Sequence, residues 1–107
     1  MGLFRRRFDD LVSRQLDLFA VDSQAELAAL ADAIRAHRAA DHDEVEETYG
    51  DLQDRVDWAA QDLIALRDAY ATGLDDETAV AYRRALVRGV RRRYGALANA
   101  VESGDVD

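Results

Sequence analysis

Arginine supplies every fixed side-chain positive charge in this 107-residue sequence. All 14 basic residues are Arg, set against 22 acids, and Lys, Cys and Pro are absent. Without Lys there is no Schiff-base chemistry and no lysine-based phosphate loop. Without Cys there is no thiol nucleophile, disulfide framework or thiolate zinc site. What remains is guanidinium chemistry, a planar fork that holds carboxylate or phosphate through two parallel hydrogen bonds.

The charges are sharply divided. Residues 79–100 carry six Arg and no acid, whereas residues 41–78 carry 13 acids and two Arg. The net charge of −8 averages these opposed stretches. A short turn joins them, so helices built from them are expected as antiparallel neighbours. Opposite charges flanking an apolar seam then fix pairing and orientation. At about 100° per residue, Arg83 and Arg93 fall on or beside the apolar line of the basic stretch. Asp54, Asp57 or Asp62 are their expected structural ion-pair partners. Arg84, Arg88, Arg91 and Arg92 gather on the opposite face and are candidate partner-binding residues. An acidic protein surface is the first expectation for that face, and nucleic acid or another polyanion the second. Nucleic-acid binders normally carry a basic domain. Here the isoelectric point is about 4.6, and the acidic stretch would repel a duplex.

Metal and catalytic chemistry find less support. His37, Asp41, His42, Asp43, Glu44, Glu46 and Glu47 cluster in sequence, and two His/acid pairs are four residues apart. A di-iron bundle needs a Glu three residues before each His, but Ile34 and Ala39 stand there. An acidic helix start, favoured by the helix dipole, accounts for the cluster. The hydroxyls Ser13, Ser23, Thr48, Thr72, Thr78 and Ser103 form no local Ser-His-acid pattern, and the glycines form no phosphate loop. No cofactor, metal or enzymatic activity is expected.

The elements that position these residues are helical. Ala, Glu, Leu and Arg make up 52 residues, and no Pro interrupts them. The first segment is predicted over residues 3–19, with Phe4, Phe8, Leu11, Gln15 and Leu18 at spacings of three and four and Val12, Leu16 and Phe19 widening the stripe. The second begins at Ser23, which forms a capping-box pattern with Glu26, and buries Leu27, Leu30, Ala31 and Ile34. In the third, Val45, Tyr49, Leu52, Val56, Ala59, Leu63, Leu66 and Tyr70 keep a coiled-coil seam for between three and four heptads. Asp43 with Glu46 is its expected cap, and Gly73 in a left-handed conformation its expected end. Asp75 or Asp76 caps the fourth, whose stripe is Ala79, Leu86, Val90, Tyr94, Leu97 and Val101. Residues 39–43 hold no Gly or Pro, so segments two and three could be one helix. Arg38 and Asp41 would then interrupt the seam, so a break is expected there. Gly50 and Gly89, inside helices, are expected to allow close helix approach.

The expected fold is all-α, a small bundle of three to four helices built on a long antiparallel hairpin of the third and fourth. Residues 1–102 form the domain and residues 103–107 a flexible acidic tail. Trp58 lies off the seam, with Ala65, Ala69 and Thr72 on its side. It is buried under the first two helices or it anchors a subunit interface. At the start of the chain, Leu3, Phe4, Phe8 and Leu11 with Arg5, Arg6 and Arg7 read as a bundle helix, with contact to an anionic membrane as the alternative. Asp9 and Asp10 break the resemblance to a twin-arginine export signal, and no apolar run reaches membrane-span length. A cytoplasmic, non-enzymatic interaction protein follows as the expectation, self-associating as a homodimer or acting as an adaptor.

Overall fold

A computed structural model describes the backbone of residues 2–104 and the side chains of residues 7–104. The proposed membrane contact of Leu3, Phe4, Arg5 and Arg6 and the last three residues of the acidic tail lie outside this range. The described residues form five helices and no strand: α1 (Gly2–Asp22), α2 (Gln24–Ala39), α3 (Val45–Ala71), α4 (Asp76–Arg93) and α5 (Gly95–Ser103).

The expected fourth segment is two helices. Three arginines fill the last turn of α4, where cations suit the helix dipole, and Gly95 follows two residues after Arg93. Tyr94 between them leaves helical geometry, at φ −139° and ψ 65°, and redirects the chain into α5. Segments two and three are also separate. Ala40 is extended, and the Asp41 carboxylate accepts the N–H groups of Asp43 (3.1 Å) and Glu44 (3.2 Å). The Glu44 side chain accepts the N–H of Asp41 in return. These bonds close the turn that leads into α3, and α3 itself has no side-chain cap, so the expected Asp43/Glu46 cap is not formed.

Two further local expectations are corrected. Ser23 makes no capping bond with its side chain. Its N–H donates to Phe19 O and its carbonyl accepts from Leu27 N, so four-residue helical bonding runs through the α1–α2 junction. Few orphan N–H groups remain there to cap. Gly73 is not left-handed, since no glycine among the described residues has positive φ. The end of α3 instead tightens into three-residue bonds, Gly73 N–H to Tyr70 O and Leu74 N–H to Ala71 O. Asp75 then caps α4 by accepting the Thr78 N–H at 2.8 Å, a bond that holds its carboxyl below the usual carboxylate range.

Packing departs from the expected hairpin. The principal partners are α2 with α3 and α1 with α4, while α5 packs on both α3 and α4. Direct contact between α3 and α4 is slight by comparison. The α1–α4 contact is close because Gly89 permits it: a Cβ there would lie 2.7 Å from Val12 Cγ1 and 3.1 Å from Leu16 Cδ1. Gly50 has open space in the same position. Phe8 meets Tyr82 edge-on at 5.6 Å, and Phe19 meets Tyr94 likewise at 5.5 Å. The Tyr82 hydroxyl donates to Gln15 Oε1 at 2.9 Å, and burial raises its pKa to about 12.

The α3 seam is buried only in its middle. Val56, Ala59 and Leu63 are buried, whereas Val45, Tyr49 and Tyr70 are exposed. Toward the C-terminal end the buried line shifts to Ala60, Leu63, Arg67 and Ala71, the face that meets α5 and α4.

Candidate interaction surfaces

The arginine face is positioned by α4 and its neighbours. Val80 and Val87 are two helical turns apart, with Arg84 and Arg91 on the same line. Together with Arg83, Arg88 and Arg67 they line a groove of about 420 Å³. Glu102 is the one carboxylate lining it among the described residues, and it sits 3.6 Å from Arg91. That pair is exposed on both sides and contributes at most about 1 kcal/mol. Arg83 is half-buried, and its Nε is buried with no hydrogen-bond partner in the structure. Val80 is 45% exposed. The groove therefore combines several guanidinium groups with an apolar floor, and concavity strengthens the field of like charges.

Arg67 is the residue that pattern reading missed. It is 1% exposed, yet it lies in α3 on the line from Leu63 to Ala71. Its Nη1 donates to the Val101 carbonyl at 2.8 Å, near the end of α5, and its Nε donates to Asp68 at 2.9 Å. A cation at a helix C-terminus is favoured by the dipole. Arg67 thus ties α3 to α5 and adds charge behind the groove. Its four-residue spacing from Leu63 and Ala71 was the available signal.

The other expected residues divide. Arg84, Arg88 and Arg91 do share the groove, but Arg92 lies with Asp9 and Ser13 on the α1 side of α4. Arg93 pairs with Asp17 at 2.7 Å and donates to Ser13 Oγ at 2.9 Å. It therefore anchors α4 to α1 and not to α3. Asp62 accepts the Ser23 hydroxyl at 2.9 Å, and Asp57 faces the α5 side. Among the described residues no ion pair joins Arg83 or Arg93 to Asp54, Asp57 or Asp62. The reason is geometric: α3 and α4 each pack mainly on other helices.

Nothing matches this chain among family models, curated proteins or solved structures.

The acidic counterpart lies between α2 and α3. A groove of about 500 Å³ runs over Ala29, Ala33 and Ala36 of α2, with Asp51, Asp54, Arg55 and Trp58 of α3 along its other side. Trp58 is 60% exposed, so it is not buried under the first two helices. The Arg55 guanidinium lies 5.7 Å from its ring centroid, within cation–π range. Asp32, on the opposite wall, is paired with Arg35.

The histidine cluster is a joint between helices. His37 Nδ1 lies 3.0 Å from Thr48 Oγ1, and its ring packs on Tyr49, which ties the end of α2 to the start of α3. Among the described residues, no three His, Asp or Glu side chains converge to hold a metal ion. No helix among them is long and apolar enough to cross a membrane.

Proposed function

We propose that this chain is a non-enzymatic helical interaction protein whose α4 arginine groove receives an acidic helical surface of a protein partner. One observation carries the reading: Arg83, Arg84, Arg88 and Arg91 surround an apolar floor of Val80 and Val87. Guanidinium forks suit carboxylates, and the valines suit the apolar side of an amphipathic helix. A phosphate backbone would use the arginines and leave the valines idle. The acidic α3 region also disfavours a duplex.

The test is fluorescence anisotropy with a designed helical peptide, carrying Glu at four-residue spacing beside a Leu stripe, and separately with a random-sequence DNA duplex. The peptide is expected to bind at low salt. Arg84→Glu with Arg88→Glu is expected to weaken it about tenfold or more, since opposed charges are replaced by like ones. Binding of the duplex with no binding of the peptide would replace this reading with a polyanion site. Binding of neither would end both.

A further inference from the structure

The acidic and basic faces leave each other's company inside the molecule. They are adjacent in sequence, and a hairpin of α3 on α4 would have let them neutralise one another. The fold does otherwise: α5 packs on both helices, Arg93 turns to α1, and Arg67 turns to α5 and its neighbour Asp68. Arg84 and Arg88 make no ion pair among the described residues, and neither do Asp51 and Asp54. One molecule thus displays two open faces of opposite sign, each with an exposed apolar residue, Val80 on one and Trp58 on the other.

We infer that the partner of the α4 groove is a second copy of this chain, which presents its acidic α3 face with Trp58 as the anchor. This rests on the reading above and names the occupant. Spacing supports the match. From Trp58 back toward the start of α3, Asp54 is four residues away and Asp51 seven. From Val80 forward along α4, Arg84 is four residues away and Arg88 eight. Laid antiparallel, the two helices set Trp58 on Val80, Asp54 at Arg84 and Asp51 at Arg88, within about 12 Å of helix length. The indole supplies the large apolar area expected of an interface anchor, and the charge pairs set direction and register. The two faces are different patches of the chain, so the contact is heterologous. Two reciprocal contacts close a dimer, and single contacts extend a chain of molecules.

Complementation tests this with the whole protein. One variant carries Arg84→Glu and Arg88→Glu, and the other Asp51→Arg and Asp54→Arg. Circular dichroism and thermal melts establish that both fold. Light scattering at low salt is expected to give wild type a mass above the 11.9 kDa monomer. Each variant alone is expected to associate at least about tenfold more weakly. An equimolar mixture of the two regains association, because one retains the acidic face and the other the basic face. Trp58→Ala weakens wild-type association, and raised salt does the same. A wild type that stays monomeric at low salt, or variants that self-associate as well as wild type, would overturn the inference. If wild type is monomeric yet the designed acidic peptide binds its groove, only the identity of the occupant fails. If the peptide also fails to bind, the functional reading falls with it.

Discussion

Along α1, Phe8, Val12, Leu16 and Phe19 are all buried, and α4 meets them with Tyr82, Leu86, Gly89 and Val90, whereas α2 offers α3 one buried large residue, Leu30. Both pairs are amphipathic helices from one composition. The difference lies in what faces what. Alanine occupies seven of the 16 positions of α2, giving helix propensity but little apolar area to bury. Leu27, Ile34 and Leu52 are consequently only half-buried, and Val45, Tyr49 and Trp58 stay exposed. The α1–α4 contact behaves as a core, and the α2–α3 contact as a thinner layer that leaves part of α3 exposed. A sustained heptad seam therefore does not guarantee burial. The neighbouring helix must be broad enough to cover it.

The largest expected effect separates the two regions directly. Leu86 is fully buried, so Leu86→Ala removes apolar contact and leaves a cavity, at a cost of roughly 2–5 kcal/mol. Tyr49 is 54% exposed, and Tyr49→Ala is expected to cost about 1 kcal/mol or less. Urea denaturation of the two variants measures both. Similar losses would mean that the α2–α3 end is as much a core as the α1–α4 contact.

The next effect sharpens the same contrast through pH. Tyr82 ionises at 10.0 in its ordinary state and at about 12 in the fold, chiefly because burial disfavours the phenolate. Between those values the folded chain holds a proton that the unfolded chain has lost. Stability therefore falls as pH rises, by about 2–3 kcal/mol over the whole window, and is independent of this group below it. Tyr82→Phe is expected to remove that alkaline decline. It costs about 1 kcal/mol at neutral pH through the lost bond to Gln15. Denaturation midpoints at pH 8 and pH 11 check both signs. An unchanged alkaline slope in the Phe variant would show that the α1–α4 contact is not the pH-sensitive one.

How far the sequence foretold these features depended on how local they were. The all-helical class, the break before α3 and a cap at Asp75 or Asp76 follow from periodicity and short-range hydrogen bonding; the first two are present, and the cap is Asp75. The turn at Tyr94–Gly95 was readable in principle, from three arginines with a glycine two residues beyond, but an apolar stripe that continued to Val101 concealed it. Ser23 fitted a capping pattern and instead bonds Asp62, because helical bonding through the junction removed the need for a cap. Arg93 found Asp17, 76 residues away, which no local spacing could indicate. Arg67 was hidden by its charge, since a buried line is sought among apolar residues. At the arginine face, Arg84, Arg88 and Arg91 line one groove. Sequence could not show that Arg92 turns toward α1, because that depends on which helix packs alongside.

One substitution made at two glycines gives the smallest and sharpest test of the contrast. Both Gly50 and Gly89 lie inside helices, where Ala is favoured over Gly by about 1 kcal/mol. At Gly50, in α3, an added Cβ meets nothing within 4 Å, so Gly50→Ala is expected to stabilise by about 0.5–1 kcal/mol. At Gly89 the same methyl would press on Val12 Cγ1 at 2.7 Å. Val12 is buried and β-branched, so it has little freedom to turn aside. Helix α1 must shift, and overpacking of this kind costs roughly 1–3 kcal/mol. That outweighs the propensity gain, and a net loss of about 1 kcal/mol is expected. Opposite signs in thermal melts are thus expected from chemically identical changes. If both variants are stabilised, α1 and α4 are held no more tightly than α2 and α3. If both are destabilised, the Gly50 side of α3 is packed as closely as the Gly89 side of α4.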